Sequence, residues 1–250
     1  MIDLHCHIIP WIDDGAENAR VACEMAAHAL RSGVDTIVCT PHCNLSDDIP
    51  NYRGDAYDVC FGMFRALLQQ HGIPLRVLPG CELFASRSNL RRVLDENRIV
   101  TLNRSRYLLA EFNFNDSAER MTAALDLIAR RGLIPVVAHP ERYDCVQHDP
   151  KLAVGWFANG YVIQLNKGSL LGLLGERAYH AGTHLLASGI AHVIASDAHD
   201  ARYRTTGLQS VLPVLERFCS PHYIELLLEI NPSRIIHDRH IPAPNQEESL

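Results

Sequence analysis

Short apolar runs recur along this chain, each followed by a longer stretch in which apolar residues fall at helical spacing. Seven runs, at residues 2–5, 36–40, 76–82, 107–111, 135–139, 162–166 and 192–197, are rich in Val, Ile and Leu. They show no sustained polar alternation, which predicts strands covered on both faces, as in a parallel sheet. Residues 19–32, 56–70, 118–131 and 175–188 predict the intervening helices, which stop at or near Gly33, Gly72, Gly132 and Gly189. Residues 208–218 and 223–230 predict two closing helices. Strand and helix in repeated succession imply parallel pairing with right-handed crossovers. An open doubly wound sheet would carry a glycine-rich turn after its first strand, and residues 8–15 contain no GxGxxG. The expectation is a closed or nearly closed α/β barrel, one domain over residues 1–241, with a polar tail at 242–250.

The polar residues fall where the strands end. The first strand runs into Asp3-Leu4-His5-Cys6-His7, and simple alternation would put Asp3, His5 and His7 on one face. The second is followed by His42, the third ends in Glu82, the fourth in Glu111, the fifth in His139 and the seventh in Asp197-Ala198-His199. The sixth ends in Asn166 and is the exception. In a parallel barrel these ends gather at one face, where catalytic groups sit. Stability alone does not place imidazoles and carboxylates together there, because unpaired buried charge is costly. A metal cluster removes that cost. The candidate ligands are His5, His7, Asp14, His42, Glu82, Glu111, His139, Asp197 and His199. Nine are too many for one ion, so two or three divalent metals are expected, with Glu82 or another carboxylate bridging. Imidazole and carboxylate without thiolate suits manganese, iron, zinc or cobalt. Such a site turns water into a nucleophile and stabilises both oxygens of a displacement at phosphorus. Arg142 and Arg204, just beyond the fifth and seventh strands, are candidate phosphate clamps.

Charge and cysteine usage narrow the reading. The net charge of −6 and the lack of a basic run argue against a nucleic-acid partner. No signal-peptide pattern and no long apolar stretch occur, so the chain is expected in the cytoplasm without membrane insertion. The eight cysteines are scattered without a CxxC pair, as for small buried thiols in a reducing compartment.

Taken in order and spacing, these residues resemble the polymerase and histidinol phosphatase (PHP) superfamily. The closest likeness is to its bacterial protein-tyrosine phosphatases, through Ile2-Asp3-Leu4-His5, Asp13-Asp14-Gly15, Ser105-Arg106-Tyr107, Ala138-His139-Pro140-Glu141-Arg142-Tyr143, Ser196-Asp197-Ala198-His199 and Asn231-Pro232-Ser233-Arg234. The resemblance implies a distorted (β/α)7 TIM-like barrel holding three metals, often manganese. It implies His5, His7, Glu82 and Asp197 on one metal, Glu82, Glu111 and His139 on a second, and Asp14, His42 and His199 on a third. It also implies that Arg142 and Arg204 hold the phosphate of a phosphotyrosine on the tail of a bacterial tyrosine kinase in capsule or exopolysaccharide assembly. The segment after the last motif departs from the family pattern, so Arg202 competes with Arg204 for that role. Cys60 and Arg65 are one residue short of the spacing a cysteine-based phosphatase needs, which favours metal-activated hydroxide as nucleophile. The alternatives are a small-molecule phosphatase such as histidinol phosphatase, an amidohydrolase, and a metal-bearing interaction module.

Overall fold

Each apolar run becomes a strand, and between the runs the chain is largely helical. A computed structural model describes residues 1–54 and 56–242; apart from Pro242, the expected polar tail lies outside the described residues. The strands are β1 (Ile2–Cys6), β2 (Thr36–Cys39), β3 (His42–Cys43), β4 (Arg76–Pro79), β5 (Glu82–Phe84), β6 (Tyr107–Glu111), β7 (Ile134–Ala138), β8 (Val162–Asn166) and β9 (Val193–Ala195). The helices are α1 (Ala19–Arg31), α2 (Ala56–Gln70), α3 (Leu90–Asp95), α4 (Ala118–Ala129), α5 (Asp144–His148), α6 (Lys151–Ala158), α7 (Lys167–Leu170), α8 (Glu176–Ala187), α9 (Leu212–Phe218), α10 (Pro221–Glu225) and α11 (Asn231–Ile236). Side chains cap the main crossovers: Asn18 accepts from the Val21 N–H at the start of α1, and Ser117 from the Arg120 N–H at α4.

All strand pairing is parallel, in the orders β1-β2-β4 and β3-β5-β6-β7-β8-β9. The two sheets are storeys of one barrel. β2 and β3 are one strand broken at Thr40-Pro41, and β4 and β5 are one strand broken at Gly80-Cys81. The last strand meets the first through a Cys6–Ala198 bridge, with the His7 N–H on the Ala198 carbonyl at 2.9 Å and the Asp197 N–H on the His5 carbonyl at 2.9 Å. Seven strand positions therefore form the distorted α/β barrel expected from the sequence. A short turn at Leu102–Arg104 packs between β4 and β6, where direct pairing lapses. Leu4, Val38, Leu78, Leu109, Val136, Val162 and Val193 fill the interior, and Ile235, Ile236 and Ile241 complete that cluster. The opposite strand faces, such as Ile37, Leu108, Val137 and Ile163, pack in a larger core with Met25, Leu125 and Leu185 of the helices.

Three expectations need correction. The second and third strands are each split. Pro41 has no N–H to donate at the first break, and a Cβ at Gly80 would lie 2.6 Å from Val38 Cγ1 at the second. Simple alternation fails in β1, whose register shifts between Asp3 and Cys6. Leu4 therefore joins the inner cluster while Cys6 joins the outer core, so the alternation that would put Asp3, His5 and His7 on one face does not hold. Asp3 instead accepts hydrogen bonds from the Ser196 N–H at 3.0 Å and the Ser196 hydroxyl at 2.5 Å, pinning the first strand to the last. The closing segments are also less regular than expected, with a 3-10 turn at Leu208–Val211 before α9 and a π-helical turn at Leu226–Ile230 after α10.

Candidate metal centre

The chain folds so that all nine expected ligands meet at the C-terminal end of the barrel. His5 lies on β1 and His7 just after it, His42 opens β3, Glu82 opens β5, and Glu111 ends β6. His139 follows β7, and Asp197 and His199 follow β9. His139 and Asp197 take left-handed backbone conformations, with φ of 34° and 50°. Such geometry is unfavourable for residues with a Cβ and collects at functional sites. It turns both side chains off the strand axis into the cluster. The two strand breaks serve the same end, since each re-aims the chain just before a ligand, His42 and Glu82, which pair in register across β3 and β5.

Glu82 is the hub. Its Oε1 lies 3.1 Å from His5 Nε2 and 3.1 Å from His139 Nε2, and its Oε2 lies 3.3 Å from His7 Nε2 and 3.1 Å from His42 Nδ1. Around it, potential ligand atoms form four overlapping groups: His7, Asp14, His42 and His199; His5, His139 and Asp197; His5, His7 and Glu82; His42, Glu82 and Glu111. Asp14, His42 and His199 thus fall in one group, as the motif order implies, whereas Asp197 groups with His5 and His139, and Glu111 with His42. Eight of the nine residues are buried, while the Asp14 side chain is 65% exposed and closes the group from outside.

The donor atoms suit divalent ions. The His5 and His7 Nε2 atoms face each other at 3.2 Å. The other ring nitrogens are occupied elsewhere: His5 Nδ1 by Gln164 Oε1 at 3.0 Å, His7 Nδ1 by Asp13 Oδ2 at 2.7 Å, and His199 Nδ1 by the Asp197 carbonyl at 3.1 Å. Protons on those nitrogens leave Nε2 lone pairs pointing into the cluster, the usual role of partners behind metal-bound histidines. His42 Nδ1 is buried 3.1 Å from Glu82 Oε2 and 3.4 Å from Glu111 Oε2, without the geometry of a hydrogen bond to either. Burial and the charge of Glu82 push the Glu111 carboxyl up to about 8. A cation between the two would let both ionise.

Sequence reasoning missed several supporting groups. The Asp13-Asp14-Gly15 turn divides its labour: Asp13 is turned inward, binding His7 and the His42 N–H at 2.9 Å, while Asp14 reaches 3.5 Å from His42 and 3.6 Å from His199. Gly15 is needed because a Cβ there would fall 2.1 Å from the His7 carbonyl oxygen. The acidic pair before a glycine was the available signal. Asn166, the exception among strand ends, donates to Asp197 Oδ2 at 2.6 Å. Lys167 is buried and donates to the carbonyls of Thr205 and Gly207, which straps down the segment bearing Arg204.

The arginines sort themselves by position. Arg142 and Arg204 line a cavity of about 300 Å³ over the cluster and reach Asp197 Oδ2 at 3.2 and 2.6 Å. Arg202 is exposed and does not line that cavity. Asp200 accepts from the N–H groups of Arg202, Tyr203 and Arg204, which fixes the turn that presents Arg204. Cys81 and Arg87 do have the separation used by cysteine-based phosphatases. Cys81 is fully buried, however, and the residues between them include strand β5, where a phosphate-cradling loop would be required.

Comparison with known proteins places this architecture. Residues 1–237 match the family model described as capsular polysaccharide synthesis, CpsB/CapC. The tyrosine-protein phosphatase YwqE of Bacillus subtilis is 35% identical over 220 residues, covering 87% of this chain and 84% of that protein. The tyrosine-protein phosphatase CpsB of Streptococcus pneumoniae is 28% identical over 244 residues, covering 96% and 99%. A crystal structure from work on YwqE and CpsB, described as unique metal-dependent tyrosine phosphatases, superposes with a TM-score of 0.87 at 32% identity, covering 97% of this chain and 96% of that one. With residues 1–237 matched by the family model and the fold superposing over nearly its whole length, the chain belongs to the CpsB/CapC family of capsular polysaccharide synthesis.

Proposed function

We propose that this protein is a metal-dependent protein-tyrosine phosphatase acting in the cytoplasm on a tyrosine-phosphorylated protein of polysaccharide assembly, with the tail of a bacterial tyrosine kinase as the first candidate. One observation carries the reading: a cluster of five imidazoles and four carboxylates centred on Glu82, buried except at Asp14, with Arg142 and Arg204 in the same cavity. Two or three divalent ions, manganese foremost, would be held there. His5, His7, Glu82 and Asp197 are proposed for one ion, Glu82, Glu111 and His139 for another, and Asp14, His42 and His199 for a third. When bound, the metals supply a water nucleophile at neutral pH and neutralise phosphoryl oxygens.

The chain's own groups bind and orient the ester. Arg142 and Arg204 offer guanidinium N–H donors that match two phosphate oxygens in fork geometry. Asp197 holds both arginines over the cluster through the same carboxylate oxygen, and Asn166 fixes that carboxylate from behind. The arginines thus wait in place, and little ordering remains to be done on binding. A tyrosine phenolate, whose conjugate acid has a pKa near 10, leaves with less need of protonation than a serine or sugar alkoxide. The cavity's restricted volume of about 300 Å³ admits a phosphoryl group with its attached ring, while the bulk of a protein substrate stays outside.

The test is a comparison of kcat/KM on a phosphotyrosine peptide and on histidinol phosphate, using manganese-loaded protein. The reading requires the phosphopeptide to be the better substrate. A clear preference for histidinol phosphate would replace it with a small-molecule phosphatase.

A further inference from the structure

The floor of the metal-side cavity is charged, but one wall is not: Leu45, Phe84, Phe112 and Phe114 line it together. Among the described residues with large exposed apolar side chains, Phe114 alone borders this cavity, and it is 44% exposed. An exposed Phe is ordinary by itself; its location and its support are not. The Phe114 carbonyl accepts from the Asp144 N–H at 2.8 Å, and the Asp116 N–H closes a turn onto the Asn113 carbonyl at 3.1 Å. The Asn113 N–H donates to Ser86 Oγ at 2.9 Å. The ring is therefore presented from a backbone tied on both sides. The Arg142 guanidinium lies over the ring, 4.5 Å from its centroid.

We infer that Phe114 is the platform for the substrate's aromatic ring, and that it sets a preference for aryl over alkyl phosphate esters. The inference rests on the phosphatase reading above. In phosphotyrosine a single ester oxygen joins the ring to phosphorus. A phosphate held by Arg142 thus places its ring beside Phe114, where aromatic pairs gain from offset or edge contact. A phosphoserine held by the same arginine offers only a methylene there, with no face or edge to match.

The test measures KM and kcat on matched phosphotyrosine and phosphoserine peptides, and competitive inhibition by inorganic phosphate. Manganese-loaded wild type, Phe114→Ala and Phe114→Tyr are compared. Phe114→Ala should raise KM for the phosphotyrosine peptide about tenfold. It should leave the phosphoserine KM and the inhibition by inorganic phosphate unchanged, and Phe114→Tyr should restore the wild-type value. An unchanged KM in Phe114→Ala overturns the inference. So does an equal weakening of inorganic phosphate, which would mean that the ring acts only by supporting Arg142. A wild-type protein that hydrolyses neither peptide would instead sink the phosphatase reading itself.

Discussion

At the scale of single residues, Glu82 and Asp13 make the most specific demands. Glu82 touches four imidazoles with two oxygens, so no other side chain joins as many of the proposed metal sites. Glu82→Gln keeps its shape and removes the charge. Turnover should fall about a thousandfold or more, with less metal retained by elemental analysis and an unchanged far-UV circular dichroism spectrum. Asp13 sits one step back, with its carboxylate 2.7 Å from His7 Nδ1. Asp13→Asn should weaken manganese binding roughly ten- to a hundredfold in a metal titration, while turnover at saturating metal falls much less. Equal losses in both measurements would mean that Asp13 acts on substrate directly. Eight of the nine residues that cluster, all but Asp14, were legible from strand ends, because buried parallel strands are continuous apolar runs and any charge at their tips stands out. Asp13 was not, because nothing in a run of two aspartates says which one turns inward.

Elements explain what else the sequence concealed. A shift in register in β1, breaks at Thr40-Pro41 and Gly80-Cys81, and left-handed turns at His139 and Asp197 all disturb regular strands beside the site. They are departures from periodicity, and periodicity is the signal that reveals strands at all. The order of seven strands survived because these breaks lie within or just after each run without erasing it. The short helices α3, α5 and α6 were missed because none exceeds 8 residues and each shows little repeat.

The far end of the barrel gives a pH prediction at this scale. His192 precedes β9, is buried against Phe157, and its Nδ1 accepts from the Ile163 N–H at 3.0 Å. Burial pushes it down to about 4. The unfolded chain takes up this proton near 6.5 and the folded chain only near 4, so the unfolded state binds more protons in between. Stability should fall as pH drops from about 6.5 to 4, by up to about 3 kcal/mol from this residue, and stay level below that. Urea unfolding of wild type and His192→Gln at pH 7.5 and 5 isolates the contribution. The variant should lose less stability on acidification, and an identical loss would reject the assignment.

At the scale of the whole molecule, the cluster ties together ends of strands that are distant in sequence. The proposed ligands span residues 5 to 199, and the described residues contain no helix long and apolar enough to cross a membrane. Ions bound there favour only the folded chain, which links metal occupancy to stability. Manganese should therefore raise the melting temperature of metal-free protein by several degrees, in proportion to occupancy. The same addition should shift Glu82→Gln much less. A chelator that left the wild-type melting temperature untouched, while demonstrably stripping the metal, would show that the cluster is not where the ions bind.

The most direct measurement follows phosphate release from a phosphotyrosine peptide as manganese is titrated into metal-free protein. Metal-dependent hydrolysis at the cluster requires no turnover at the start, a rise with added metal, and a plateau at two or three equivalents per chain. Full turnover by the metal-free protein would contradict it.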